Sequence, residues 1–233
     1  MMIRKIKIRR KIFLGGGGSS RDSFLLDKEF VNSLEKKNIL YIPIALNRDK
    51  LGFEACYDWI IATLSQHSKD FVNILMILNL SDKDIDLSKY DAIYIGGGDT
   101  YKLLHVFYTS GFNNLLKSFI DKGGIVYGGS AGAIILGKNI NIVSEENINN
   151  YNYEKGLSII GDYSIICHYN GNKDKKIKEY VSKYKNSVIS IPENSGLFIN
   201  GNVAKVIGKS PIFIFNQENE LIDKKPNEEF IIE

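Results

Sequence analysis

The sequence predicts an α/β protein with a doubly wound, mainly parallel sheet flanked by helices, and with additional short strands in the C-terminal third. Short apolar runs alternate with amphipathic stretches in the first half of the chain, which is the pattern of βαβ units. Glycine-rich loops follow several of these runs, at the sheet edge where ligands of such folds bind. Of the 233 residues 44% are hydrophobic, and no linker divides them. We therefore expect one domain over residues 1–233.

The first half of the chain contains five predicted strands, each at a short apolar run. They cover residues 11–14, 39–44, 72–78, 92–95 and 124–127. Helices are predicted between them, where apolar side chains recur at near-helical spacing or the composition favours a helix. The helices cover residues 24–34 and 59–64, follow the glycine loop at 96–98, and start again at 131–136.

Beyond Gly137 the pattern changes to shorter segments rich in Asn. Strands are predicted there at residues 164–167, 188–191, 197–199, 203–207 and 212–215. One helix, roughly over residues 173–184, interrupts them. The charged stretch at residues 223–229 is expected to be a polar tail segment.

Charge is concentrated at the start of the chain. The formal net charge is +3, and the first 14 residues carry six basic side chains and no acidic one. A basic surface can bind nucleic acid, but the alternation of basic and apolar residues over 3–9 favours an edge strand protected by charge. We therefore expect no nucleic-acid partner.

The remaining composition indicates a cytoplasmic protein. No apolar run approaches the roughly 20 residues that a membrane helix needs, and no secretory signal is visible. Two cysteines, Cys56 and Cys167, are too few for a disulfide framework and lack metal-ligand spacing with the three histidines. We expect no metal, no cofactor and no membrane partner, and a monomer or homodimer.

One serine lies among three glycines in the run Gly128-Gly129-Ser130-Ala131-Gly132, between a predicted strand and a predicted helix. A strand that turns abruptly into a helix needs small neighbours, and glycine supplies them. Such a turn presents the hydroxyl at a helix N-terminus, where free N–H groups can stabilise an oxyanion. The run is typical of a nucleophile elbow, and it also fits a tight turn without chemistry.

A serine nucleophile needs a base, most often histidine. His67 lies near the end of a helix and His105 lies within one, where packing or surface roles are expected. His168 ends a predicted strand and is the candidate base. An acid must orient it. Glu193, just after another predicted strand, is one candidate, and Asp162 and Glu145 are alternatives.

The run Gly96-Gly97-Gly98-Asp99-Thr100 ends one strand and opens a helix. Asp99 is a natural N-cap. We expect the glycines to let the backbone approach the substrate, with Gly97 and Asp99 contacting it and the Gly98 and Ala131 amides forming an oxyanion hole. A phosphate loop is disfavoured, because neither a G-K-[ST] ending nor dinucleotide spacing is present.

Together, the runs at 94–100 and 128–133, the pair His168-Tyr169 and the segment Ile191-Pro192-Glu193-Asn194 resemble the peptidase E (aspartyl dipeptidase) family of serine peptidases. The resemblance extends in order over about residues 11–207. It implies a fold related to class I glutamine amidotransferases. It further implies a triad of Ser130 as nucleophile, His168 as base and Glu193 as orienting acid, acting on dipeptides or short peptides.

The loop after His168 differs from the family pattern. In the aspartyl dipeptidase a longer loop carries an arginine for the substrate's aspartate carboxylate, whereas this loop is short and holds only lysines. Lys173 is expected to contact the substrate, and Lys175 or Lys176 could also supply a positive charge. A lysine lacks the bidentate fork of arginine, so specificity for N-terminal aspartate stays open.

Two other functions are compatible with these motifs. An esterase of the α/β-hydrolase type could use the same elbow, but that fold places its histidine after the acid and near the C-terminus. A non-catalytic protein could use the glycine loops to hold a small anionic ligand. A Ser130 hydroxyl farther than about 5 Å from the His168 ring would favour that second alternative.

Overall fold

The fold was obtained as a computed structural model that describes residues 10–46, 52–82, 84–143 and 147–232. The predicted edge strand at residues 3–9 and Glu145, one alternative acid, lie outside the described residues. Among the described helices, none combines the length and apolar character that a membrane span requires.

Twelve strands and six α-helices make up the described part of the chain. The strands are β1 (Lys11–Gly15), β2 (Asn38–Ile42), β3 (Asn73–Met76), β4 (Ala92–Ile95), β5 (Ile125–Gly129), β6 (Tyr163–Cys167), β7 (Ser187–Ile191), β8 (Ser195–Asn200), β9 (Val203–Gly208), β10 (Ile212–Phe215), β11 (Leu221–Lys224) and β12 (Glu229–Ile231). The helices are α1 (Phe24–Asn32), α2 (Glu54–Ser65), α3 (Thr100–Thr109), α4 (Phe112–Asp121), α5 (Ala131–Leu136) and α6 (Asp174–Tyr184). A short 3-10 helix covers Leu87–Lys89.

The strands form two sheets. The large sheet has the order β12-β9-β8-β1-β5-β4-β2-β3, and the segment from β1 to β3 is parallel throughout. The antiparallel strands β8, β9 and β12 extend it on the β1 side. The smaller sheet has the order β11-β10-β7-β6, in which β6 and β7 are parallel. The carboxyl ends of β1, β4 and β5 therefore lie at one edge, where the glycine loops follow them.

Helices cover both faces of the large sheet. On one face, Phe30 of α1 and Ile60 of α2 pack in a core with Tyr94. On the other face, Leu104 of α3 and Ile134 of α5 belong to a second core. Helix α6 packs on the small sheet in a third apolar cluster. Burial of apolar strand residues between these layers is the main stabilising contribution.

The predicted fold class is confirmed, with local differences. Where one helix was predicted after Gly98, the chain forms α3 and α4, because Gly111 at φ +75° ends the first and starts the second. The prediction of a polar tail over residues 223–229 was wrong. That segment contains the end of β11 and the start of β12, edge strands whose mostly exposed side chains leave no apolar alternation to detect.

Candidate active site

Ser130 lies at the sharp turn between β5 and α5. Its backbone has φ +50° and ψ −113°, an unfavourable conformation for a non-glycine residue. Hydrogen bonds hold it there: the Ser130 N–H donates to the Gly15 carbonyl at 3.1 Å, and the Ser130 carbonyl accepts from Ala133 and Ile134. The strained turn lifts the hydroxyl above the carboxyl edge of the sheet, as the sequence predicted for an elbow.

Glycines around the serine allow α5 to pack closely on the sheet. A β-carbon at Gly132 would overlap the carbonyl of Ile95 at the end of β4. One at Gly128 would lie 2.6 Å from the Gly132 carbonyl oxygen. The glycines are thus required by the contact between strand and helix, and this contact fixes the direction of the Ser130 side chain.

His168 and Glu193 reach Ser130 from the smaller sheet. His168 follows β6, and its backbone N–H donates to the Gly16 carbonyl at 2.9 Å. Ser130 Oγ lies 2.8 Å from His168 Nε2, and His168 Nδ1 lies 2.7 Å from Glu193 Oε1. The His168 and Glu193 side chains are 45% and 52% exposed, so the hydrogen-bonded chain is open to solvent on one side. A carboxylate at Nδ1 favours the tautomer in which Nε2 accepts the serine proton.

The loop after β1 holds this arrangement in place. Gly17, at φ +103°, lies so close to the imidazole that any β-carbon there would overlap the His168 ring. A β-carbon at Gly18 would lie 2.9 Å from Glu193 Cβ. The sequence predicts glycine-rich loops at this edge of the sheet, but the contact of this loop with the imidazole depends on a second sheet whose position the sequence pattern does not reveal.

The second glycine loop lies beside Ser130. A β-carbon at Gly97 would be 3.0 Å from Ser130 Cβ. Gly98 has φ +136° and packs against the Ala45 carbonyl. Within the described part of the chain, the N–H groups of Gly98 and Ala131 donate no hydrogen bond. Asp99 caps α3, with Oδ1 accepting from the Lys102 N–H at 2.9 Å.

The lysines after His168 contact backbone carbonyls. Lys173 Nζ donates to the Cys167 carbonyl at 3.1 Å, and Lys176 Nζ donates to the Val143 carbonyl at 2.7 Å. Lys173 and Asp99 do not line the described wall of the cavity beside Ser130. Their predicted contacts with substrate stay predictions.

The other candidates have separate partners. Asp162 pairs with Lys138 at 3.0 Å, whereas Glu193 contacts His168. The His67 ring packs edge-on against Phe24. The His105 ring stacks on Tyr151, with ring centroids 4.1 Å apart. Over the described ranges, no three His, Cys, Asp or Glu side chains converge as metal ligands would.

A cavity of about 530 Å³ opens beside Ser130. It borders both glycine loops and extends between the N-terminal ends of α1 and α2. Its apolar part is formed by Tyr41, Leu46, Trp59, Tyr94 and Tyr127. The Tyr94 and Tyr127 rings are stacked, with centroids 4.3 Å apart.

Behind this wall lies a buried carboxylate that the sequence pattern does not indicate. Asp27 of α1 is fully buried, and its Oδ2 accepts from Ser23 Oγ at 2.6 Å. The Tyr127 hydroxyl also hydrogen-bonds the Asp27 side chain. Burial raises the pKa of Asp27 to about 6. The hydrogen bond from the Ser23 hydroxyl, and to a lesser extent that from the Tyr127 hydroxyl, lower it and so oppose the shift. Acidic residues are common in the first turn of a helix, so the sequence carries no signal that Asp27 is buried.

Comparisons with known proteins agree with this architecture. Residues 12–207 match the model of peptidase family S51. An uncharacterised peptidase of Listeria monocytogenes is 28% identical over 200 residues, which cover 78% of this chain and 92% of the relative. Peptidase E of Pasteurella multocida is 21% identical over 214 residues, covering 87% of this chain and 88% of that protein.

Two solved structures share the fold. A crystal structure described as a candidate peptidase E from Listeria monocytogenes has a TM-score of 0.65 at 24% identity, covering 93% of this chain and 98% of the other. A peptidase from an acI-B1 actinobacterium has a TM-score of 0.71 at 18% identity, covering 97% and 98%. The resemblance to the peptidase E family predicted from the motifs is confirmed. Because the family model spans most of the sequence, this chain belongs to peptidase family S51.

Proposed function

We propose that this protein is a serine peptidase that hydrolyses dipeptides or other short peptides through an acyl-enzyme. The observation that carries the proposal is the hydrogen-bonded chain from Ser130 through His168 to Glu193, with distances of 2.8 and 2.7 Å. These distances lie within the range that proton transfer between a nucleophile and its base requires.

Each residue has one role in the proposed reaction. Ser130 Oγ attacks the scissile carbonyl carbon while His168 Nε2 takes the hydroxyl proton. The imidazolium then donates that proton to the leaving amine, and the acyl group stays on Ser130. A water molecule, deprotonated by His168, attacks the ester carbonyl; the bond to Ser130 Oγ breaks, the acid is released, and His168 returns the proton to Ser130 Oγ. Glu193 holds the imidazole in the required tautomer and stabilises its positive charge.

Backbone amides would stabilise the tetrahedral intermediates. The proposed donors are the N–H groups of Gly98 and Ala131, which donate no hydrogen bond to another described residue. Donors fixed before the reaction stabilise developing negative charge without reorganisation. Packing holds both amides in place. Gly98 lies directly against the Ala45 carbonyl, and Ala131 is the buried first residue of α5.

Labelling with a fluorophosphonate probe tests the nucleophile. Intact-protein mass spectrometry should show one adduct on the wild-type chain, with peptide mapping placing it on Ser130. The Ser130→Ala variant should show none and should lose dipeptidase activity by at least about 1000-fold. Ser110→Ala is the control, since Ser110 Oγ bonds the Val106 carbonyl at 2.6 Å on α3. Full peptidase activity in Ser130→Ala would overturn the mechanism.

Hydrolysis of esters and of dipeptides distinguishes the proposed peptidase from a ligand-binding protein and from an esterase. A non-catalytic ligand-binding protein would neither label nor hydrolyse peptides, and the 2.8 Å distance from Ser130 to His168 favours catalysis over that alternative. An esterase would label but would hydrolyse simple esters without dipeptides. Parallel assays of an acyl ester and a dipeptide panel therefore distinguish all three.

A further inference from the structure

The cavity beside Ser130 has an apolar wall with a buried negative charge behind it. We propose that this cavity receives the side chain of the residue on the acyl side of the scissile bond, and that it accepts apolar and aromatic side chains and rejects carboxylates. The inference rests on the proposed serine peptidase function, because it names the substrate class of the same site.

The cavity borders His168 on one side, and the sheet order places its apolar wall on the other, acyl side. Strands β1 and β4 flank β5 on opposite sides. His168 approaches from the β1 side, where its N–H bonds Gly16. The leaving amine must lie beside His168, which donates a proton to it. Tyr41 of β2 and Leu46, four residues beyond the end of β2, form the apolar wall on the β4 side. The acyl residue therefore extends away from His168 and into this wall.

The wall suits an apolar or aromatic side chain. The stacked Tyr94 and Tyr127 rings form the floor of the cavity, and both residues are at most 4% exposed. Trp59 of α2 is 39% exposed and stands at the rim, where its indole can cover a bound side chain. Contact with aromatic faces favours rings and aliphatic groups, since both gain by leaving water. A cavity of about 530 Å³ has room for a side chain as large as Phe.

The charge distribution disfavours a carboxylate. Among the described residues that line the cavity there is no lysine or arginine. Behind the floor, Asp27 is fully buried, is bonded by hydroxyl groups only, and has no hydrogen-bond partner at Oδ1. No described cationic side chain forms an ion pair with it. A substrate carboxylate would lose its hydration and meet a like charge through a medium of low dielectric.

A dipeptide panel on the intact protein tests the inference. Leu-Leu, Asn-Leu and Asp-Leu differ little in size at the first residue and so isolate polarity and charge, while Phe-Leu and Lys-Leu test aromatic and cationic side chains. We expect kcat/KM to be highest for Phe-Leu and Leu-Leu, and lower for Asp-Leu than for Leu-Leu by on the order of 100-fold. Equal or faster turnover of Asp-Leu, or a preference for Lys-Leu, would overturn the inference.

Two variants test whether this cavity determines the preference among side chains of the first dipeptide residue. Trp59→Ala should lower the ratio of kcat/KM for Phe-Leu to that for Ala-Leu by about tenfold, because the rim contact is lost. Ile61→Ala is the matched control on α2, since Ile61 is exposed and lies outside the lining. Asp27→Asn should raise the ratio for Asp-Leu over Leu-Leu by about tenfold. Unchanged ratios in both variants would overturn the assignment of the cavity.

The same assays separate this inference from the proposed function. Probe labelling of Ser130 together with a preference for Asp-Leu overturns the inference alone. Absence of both labelling and peptide turnover overturns the proposed function, and the inference with it.

Discussion

Glu193 contacts His168 at 2.7 Å although the two residues follow different strands, β7 and β6, of a sheet that does not contain Ser130. The hydrogen-bonded chain thus crosses from the small sheet to the large one. Its geometry depends on how the two sheets join, and the backbone bond from the His168 N–H to the Gly16 carbonyl is one of the contacts that join them. Residues that hold this junction should matter for activity as much as the polar side chains do.

Replacing the acid tests the role of Glu193. Glu193→Gln keeps the shape but removes the charge that fixes the imidazole tautomer and stabilises the imidazolium. We expect kcat to fall on the order of 1000-fold with little change in thermal stability, because the side chain is half exposed. Steady-state dipeptide kinetics measure this loss. Asp162→Asn, at the alternative acid that pairs with Lys138, should retain activity; the reverse result would reassign the acid.

Adding a methyl group at Gly17 tests the junction between the sheets. A β-carbon there would occupy the position of the His168 ring, so Gly17→Ala should displace the imidazole and lower kcat by at least about 100-fold. Part of any effect is backbone strain at φ +103°. Gly171→Ala controls for strain, because Gly171 has φ +85° and no atom within 4 Å of the added carbon. Equal activity of the two variants would contradict this role.

Gly98 allows a test of the proposed oxyanion hole. In Gly98→Ala the new β-carbon would overlap the Ala45 carbonyl, which must move the Gly98 amide. Loss of one such donor lowers turnover by about 100- to 1000-fold, and we expect kcat to fall by that factor with KM little changed. Gly111→Ala is the matched control, with φ +75° and open space around the added carbon. A change confined to KM would argue against an oxyanion role.

The sequence was sufficient for the fold and for part of the site. Short apolar runs predicted the parallel strands, because four of the five are short and mostly buried, and the glycines around Ser130 predicted the elbow. Glu193 could not be separated from Asp162 by sequence spacing, since both carboxylates follow or precede strands without a local signal. The choice depends on the pairing of β6 with β7, which brings Cys167 beside Ile191 and so places their following loops together.

The burial of Asp27 could not be predicted from the sequence. The sequence around it reads as the first turn of an amphipathic helix, where acidic residues are common. Its burial follows from the approach of α1 to Tyr127 on the central strand, a tertiary contact. The cavity was hidden for the same reason, because Tyr41, Trp59 and Tyr94 belong to separate elements and meet only in the folded chain.

The buried carboxyl of Asp27 gives a prediction about stability and pH. Its pKa is about 6 in the folded chain, above the ordinary value of 3.8, so the folded state holds the proton more tightly than the unfolded state. The contribution of Asp27 to the free energy of unfolding therefore decreases as the pH rises from about 4 to 6, by about 1.4 kcal/mol per pH unit or about 3 kcal/mol in all. Above that range the contribution is constant.

Asp27→Asn isolates this effect, because an amide does not ionise. The free energy of unfolding of the variant minus that of the wild type should become more positive between pH 4.5 and 7.5, by about 2 kcal/mol. Urea unfolding at the two pH values measures it, and contributions of all other groups cancel in the difference. Asp84→Asn, an exposed carboxyl with no side-chain hydrogen bond to a described residue, should show no such change. A pH-independent difference for Asp27→Asn would mean that this carboxyl titrates near its ordinary pKa, and the like-charge argument for carboxylate exclusion would then lose its buried partner.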